Sequence, residues 1–281
     1  MTSTETILLV ALGVVAAAWL FREVARHRQA RRLRTLAAEA EASKQQIIVE
    51  QRRNRQLKQE MTNNIAHELK TPVSSIRGYL EILLGDKPVS DERRHWFLER
   101  CYSQTLRLSD LITDVSIINK LEESADLFPK EHVDVRATAD EALVELAYRL
   151  ESQNISATNS LPADMAVTGN HSLLYAVFRN LVENSAAYAG EGAQVVIECY
   201  KEDPERYYLH YYDTGRGVAP EYIPVIFDRF LRIEEGRSRQ TGGTGLGLSI
   251  VKHAVEFHGG EIYAQLRAGG GLEFFFSLKK S

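Results

Sequence analysis

Asn64-Ile65-Ala66-His67-Glu68-Leu69-Lys70-Thr71-Pro72 places one histidine among apolar residues at helical spacing. Ile65, Leu69, Ile76, Leu80 and Leu83 fall on one side of a helix. His67 stands two residues from both Ile65 and Leu69, so it points roughly 160–200° away from that stripe. An imidazole outside the packing seam is available to react. Glu68 beside it is a candidate acceptor for the proton on one ring nitrogen, which would raise the nucleophilicity of the other. A lone histidine on such a face is ordinarily just solvated. What gives this one weight lies downstream.

The helix runs to about Gly85, where Gly85-Asp86-Lys87-Pro88 breaks it. Ser90 is an N-cap candidate for a second helix. There Leu98, Cys101, Thr105, Leu108, Ile112 and Val115 recur at spacings of three and four. A two-helix hairpin cannot cover the apolar face it leaves on each helix, whereas two chains forming a four-helix bundle can. A homodimer is expected on this ground.

Upstream, Thr6–Phe21 is an uncharged, mostly apolar run followed by Arg22, Arg26, Arg28, Arg31, Arg32 and Arg34. Sixteen residues of helix span about 24 Å, short of the ~30 Å hydrocarbon core unless Thr2–Thr4 and the Arg22 stem extend it. A cleaved signal peptide would carry its basic residues before the run. The expectation is a single transmembrane helix over 6–21, with residues 1–5 outside and the rest in the cytoplasm. Residues 22–57 read as a polar helical linker or stalk, without Pro or Gly.

The chain has 281 residues, enough for about two domains, with ordinary apolar (44%) and charged (26%) fractions. A net charge of −4 gives no reason to expect nucleic-acid binding. Residues 22–60 nevertheless hold 11 Lys/Arg against 5 Asp/Glu. Cys101 and Cys199 lack the spacing of a disulfide framework or a zinc site.

After residue 126 the composition changes. Short strands are expected at His132–Val135 and Asn154–Asn159 around a helix near Ala137–Leu150. Gly169-Asn170 leads into a helix through Tyr188. A hairpin pairs Gln194–Tyr200 with Arg206–Tyr212, and a helix over Leu246–Phe257 precedes strands at Glu261–Leu266 and Leu272–Leu278. Helices with antiparallel strands indicate an α+β two-layer sandwich over 130–281.

Four segments of that region suit a nucleotide. Asn180 and Asn184 share a helix face at i and i+4, as a pair of amides for a hydrated cation and phosphate oxygens would. Asp213-Thr214-Gly215-Arg216-Gly217 puts a carboxylate at a strand end, with glycines that permit close approach. Ile226-Phe227-Asp228-Arg229-Phe230, with Arg232, Arg237 and Arg239, reads as a lid carrying cations. Gly242-Gly243-Thr244-Gly245-Leu246-Gly247-Leu248 opens a helix whose first N–H groups face an anion. No Walker A loop is present. Spacing alone ends at an anionic ligand, best a nucleotide.

In this order the segments resemble the H, N, F and glycine boxes of sensor histidine kinases of bacterial two-component systems, over roughly residues 58–281. The resemblance implies a dimerisation and phosphoacceptor domain at 58–126 and a Bergerat-type ATP site with Mg2+ in the following domain. It implies that His67 takes the γ-phosphoryl group of ATP and passes it to an aspartate of a response regulator. Glu68 would assist phosphorylation, and Thr71 would orient water for dephosphorylation of the regulator. Asn184, assisted by Asn180, would hold Mg2+. Tyr188 would lie by the adenine and Asp213 would read its amine. Gly215, Gly217, Arg229, Arg237, Gly243, Thr244, Gly245, Leu246, Gly247 and Leu248 would complete the nucleotide site. Ala187 stands where many members carry a lysine, so Arg229, Arg237 or Arg239 would supply that charge. The alternative is a non-catalytic or phosphatase-biased membrane scaffold. A lone short span without a sensor domain suggests a separate membrane protein that bears the sensor, and no receiver follows Ser281, so the acceptor aspartate is expected in trans.

Overall fold

A computed structural model of the chain describes residues 3–85, 87–123, 127–233 and 243–281. Two compact units are present, Met1–Asn63 and Asn64–Ser281. Helix α1 covers Ser3–Leu84. Within the first unit Trp19, Leu20 and Phe21 are exposed. Among the described residues no helix is long and apolar enough to cross a membrane. Most of the expected transmembrane run over 6–21 lies outside the residues whose side chains are described.

In the second unit, the rest of α1 and helix α2 (Asp91–Glu123) form the expected hairpin. Ser90 caps α2, its Oγ accepting from Arg93 N at 3.4 Å, and Asp91 and Glu92 complement the helix dipole. Pro72 sits inside α1. It has no N–H to offer the carbonyl of Glu68, so the ladder is one bond short beside His67. Tyr79 packs on Trp96 and Phe97 across the hairpin. The buried positions of α2 are Leu111, Asp114 and Ile118, one step off the expected seam, and Ile112 is 60% exposed. Val73, Leu80 and Leu84 of α1 and Leu98 of α2 also stay exposed. Val73, Ile76, Leu80 and Leu84 line a shallow apolar groove.

The remainder is a five-stranded sheet with helices packed on one face. In chain order it has β1 (Glu131–Asp134), α3 (Val135–Glu145), α4 (Ala147–Glu151), β2 (Ser156–Ser160), β3 (Ala166–Gly169) and α5 (His171–Tyr188). Then follow β4 (Gln194–Glu202), β5 (Arg206–Asp213), a 3-10 turn (Pro220–Val225), α6 (Gly247–Phe257), β6 (Ile262–Leu266) and β7 (Leu272–Lys279). The sheet order is β2-β4-β5-β7-β6. All its pairings are antiparallel except β2 with β4, which run parallel. The expected helix near 137–150 is interrupted at Leu146, whose backbone leaves helical geometry between α3 and α4. Strand β3, which pairs with β1, is an addition. Phe178 and Leu181 of α5 meet Ile197, Leu209, Tyr211 and Phe274 of the sheet in the core.

Asn170 starts α5 by accepting from Leu173 N at 3.1 Å, and its own N–H donates to His258 Nε2 at 3.0 Å. The His258 ring therefore carries its proton on Nδ1, which donates to Ala254 O at 2.7 Å. Gly169 has no Cβ because the ring occupies that space. Burial holds this imidazole below its ordinary value of 6.5. Below that pH the unfolded chain takes up the proton more readily than the folded one, so stability falls as pH falls and is retained above it. Heated at about pH 7.5 and about pH 5.5, the wild-type chain is expected to lose more melting temperature than His258→Gln does. Equal losses in both chains would remove His258 as the cause.

Candidate functional site

Residues of α5 and of the start of α6 face α2 across a cavity of about 310 Å3. Asn180, Asn184, Ala187 and Tyr188 come from α5, and Gly243, Thr244, Gly245, Gly247 and Leu248 from the glycine segment. Arg232, Leu231 and Ile226 close one side. On the other, α2 contributes Ser103, Leu106, Arg107, Asp110 and Asp114.

The local fold explains these placements. Asn180 Nδ2 donates to Ala176 O at 2.7 Å, one turn back on α5. This leaves Oδ1 as the acceptor turned away from its own helix, and Gly247 is the residue that can start α6 against it, since a Cβ there would meet Oδ1 at 2.5 Å. Gly245 has φ +74, and a Cβ would press on Phe230 Cα at 2.9 Å. Among the described residues no side chain caps α6, so its first N–H groups suit an anion. Leu246 is fully buried beneath the segment.

Charge converges here from both sides. Arg107, Arg149, Arg179 and Arg232 line the cavity together with Asp110, Asp114 and Glu183. Glu183 Oε1 takes Arg179 at 3.3 Å and Arg149 at 3.4 Å. Burial pushes the Glu183 carboxyl up, against the pull of these two cations. Asp114 is 8% exposed and accepts from Thr244 Oγ1 at 2.8 Å. Burial raises its pKa to about 6, with the Thr244 bond opposing.

Asp213, Gly215 and Gly217 do not line this cavity. Asp213 ends β5 nearly buried and accepts from Ser185 Oγ at 3.1 Å and Gly215 N at 2.9 Å. Ser185 Oγ is 2.8 Å from Tyr211 Oη, which donates to Leu181 O. Burial pushes the Asp213 carboxyl up. Arg229 is also outside the lining, with Nη2 2.9 Å from His253 Nε2. Arg237, Arg239 and Gly242 fall outside the described residues. Of the arginines proposed to replace the charge missing at Ala187, the described one is thus elsewhere, and the cations in the cavity are others.

His67 and Thr71 are exposed on α1, Thr71 Oγ1 donating to His67 O at 3.3 Å. Neighbouring residues on a helix diverge. The Glu68 carboxylate accordingly turns from the His67 side and takes Arg107 at 3.1 Å and Arg232 at 3.4 Å. Both arginines line the cavity, which connects it to the residue next to His67.

Arg107, Arg149, Arg179 and Asp114 were not legible as site residues. Asp114 alone carried a signal, a carboxylate between Leu111 and Ile118 at helical spacing. The others look like any surface arginine.

Residues 169–281 match the family described as histidine kinase-, DNA gyrase B- and HSP90-like ATPase, and residues 57–124 match the His Kinase A (phospho-acceptor) domain. The sensor-like histidine kinase SenX3 of Mycolicibacterium smegmatis is 34% identical over 215 residues, covering 76% of this chain and 56% of that protein. The chain spans about half the length of the curated relatives it matches. Among solved structures, the Acinetobacter baumannii histidine kinase AdeS aligns with a TM-score of 0.59 at 21% identity, over 76% of this chain and 98% of that one. Histidine kinase ThkA, solved in complex with response regulator protein TrrA, aligns with a TM-score of 0.60 at 21% identity, over 79% of this chain and 61% of that one. These two likenesses concern the fold.

Proposed function

We propose, for a chain that belongs to the two-component sensor histidine kinases, that His67 takes the γ-phosphoryl group of ATP and hands it to an aspartate of a response regulator. The observation that carries this reading is one cavity lined by the paired asparagines and the glycine segment, with Arg232 reaching from it to the carboxylate beside His67.

The residues suit the groups this chemistry needs. The Asn180 and Asn184 amide oxygens fit a hydrated Mg2+, since Asn180 Nδ2 is committed to its own helix. The uncapped start of α6 and the cavity arginines fit phosphates. ATP supplies the phosphoryl group. His67 offers a ring nitrogen from an exposed position, which lets it meet first the nucleotide site and then a regulator. Asn180 stands where hydrolytic relatives of this ATPase class carry a water-activating glutamate, which favours transfer over hydrolysis. Asp213 at its strand end suits the adenine amine.

The wider assembly follows the same reading. Val73, Leu80, Leu84 and Leu98 leave an apolar side of the hairpin uncovered, which supports pairing with a second copy in a four-helix bundle. The Arg cluster after Thr6–Phe21 and the exposed Trp19 and Phe21 support anchorage in the bacterial inner membrane, with the catalytic part in the cytoplasm. Thr71, one turn after His67, supports a phosphatase step on the regulator.

Incubated with γ-labelled Mg-ATP and then with a receiver domain, the chain is expected to take up label and pass it on. Thr71→Ala should keep both steps and slow loss of label from the receiver about 100-fold, the scale of a misplaced reactant, here the attacking water. A wild-type chain that binds ATP and takes no label would defeat the kinase reading. Equal loss of all steps in Thr71→Ala would defeat the division of roles.

A further inference from the structure

Four guanidiniums line the nucleotide cavity, from Arg107, Arg149, Arg179 and Arg232. A polyphosphate needs cations that can leave their present partners for it. The four differ in how firmly they are held. Arg107 and Arg232 share Glu68 at 3.1 and 3.4 Å, with side chains 14% and 17% exposed. Arg179 meets Glu183 at 3.3 Å, Glu145 at 3.4 Å and Asp110 at 3.9 Å, so moving it strips Glu145 and Asp110 of this partner. Among the described residues the Arg149 guanidinium has one ionic partner, Glu183 at 3.4 Å, and its side chain is 40% exposed. Glu183 keeps Arg179 if Arg149 turns away. Arg149 is therefore the cavity cation that is released most easily.

The local fold places it against the asparagine helix. Leu150 is buried and anchors α4, with Ile155 N donating to Leu150 O at 2.9 Å, and Arg149 beside it lines the cavity. On α5, Glu183 and Ala187 stand at i and i+4 and line the same cavity as Asn180 and Asn184. One turn of helix, about 5.4 Å, separates the present partner of the guanidinium from the position of Ala187. The Ala187 side chain is a methyl group, which brings no charge and leaves room for one arriving from α4.

We propose that Arg149 is a nucleotide-binding residue, which leaves Glu183 for the polyphosphate and supplies from α4 the positive charge that α5 lacks at Ala187. The inference rests on the kinase reading above, through its ATP site. Arg179 stays on Glu183 and keeps that carboxylate from repelling the phosphates.

Titration of Mg-ATP and of adenosine into the full-length chain and its variants tests this. Arg149→Met is expected to weaken Mg-ATP about tenfold or more, and adenosine, which has no phosphate, by less than about twofold. Adding Ala187→Lys to Arg149→Met should recover at least about threefold of the lost ATP affinity. Adding Glu183→Gln to Arg149→Met should leave ATP affinity well short of wild type. Equal losses for the two ligands would make Arg149 a structural residue and overturn the proposal. An ATP affinity within about twofold of wild type in Arg149→Met would do the same. Full recovery with Glu183→Gln would make Arg149 only a screen for that carboxylate, and no recovery with Ala187→Lys would detach it from the vacant position; either result overturns the proposal. A wild-type chain that binds Mg-ATP and takes no label fails the kinase reading instead and leaves these affinities standing, so the two failures are distinct.

Discussion

A His67→Gln chain is expected to bind ATP like the wild type and take no label from it. The imidazole is exposed and lines no part of the cavity, so the substitution removes no core contact and no nucleotide contact. Its effect on folding should stay within about 0.5 kcal/mol, as at other surface positions. What is lost is the nucleophile, because an amide nitrogen has no lone pair to offer phosphorus. Four of the other histidines are engaged elsewhere: His210 is held between Glu198 and Glu273, His171 pairs with Glu141, His253 meets Arg229 and His258 is buried. The measurement is retention of γ-label on the protein after base and its loss in acid, beside an ATP titration of both chains. Acid-labile phosphate retained by His67→Gln would sink the assignment of the phosphoacceptor.

The features that could be read in advance are those where chemistry restricts the residue type. Glycine at 245 and 247 is required by a positive φ and by the approach of α6 to Asn180, so the glycine segment is visible in the sequence. The hairpin was visible through its apolar spacing and through Ser90. What escaped depends on contacts distant in the chain. Strand β3 has four residues, too few for alternation to show, and forms because β1 lies beside it. The parallel pairing of β2 with β4 is a property of the crossover, which neither strand's composition records. The Glu68 carboxylate meets Arg107 and Arg232, 39 and 164 residues away, which no local pattern records. Asp114 could have been noticed as a carboxylate on an apolar face, but its partner Thr244 is 130 residues off. Sequence motifs locate the groups that touch a ligand better than the groups that hold them.

Gly271→Ala should destabilise the ATP-binding half far more than Gly269→Ala, although both glycines occupy the same turn. Gly269, Gly270 and Gly271 join β6 to β7 with φ of +91, +108 and +102. An alanine in that region is strained by roughly 1–2 kcal/mol wherever it is placed. At Gly269 nothing among the described residues lies within 4 Å of the added Cβ, so strain is the whole effect. At Gly271 the Cβ would fall on the carbonyl oxygen of Asp213, with the carbonyl carbon at 2.8 Å. Backbone cannot rotate aside as a side chain can. The end of β5 must therefore move, and with it the pairing of Tyr212 with Glu273 and the hydrogen bonds that hold Asp213. The expected loss is above about 3 kcal/mol for Gly271→Ala, against about 1 kcal/mol for Gly269→Ala. In a domain of this size that corresponds to roughly 6–12 °C of melting temperature against 2–4 °C. Because Asp213 is the residue displaced, ATP affinity should fall in Gly271→Ala and hold in Gly269→Ala. Thermal unfolding and ATP titration of the two variants decide it. Similar melting temperatures would show that the turn yields and that β5 is not fixed by this backbone contact. A destabilised Gly271→Ala with undiminished ATP affinity would separate Asp213 from nucleotide binding.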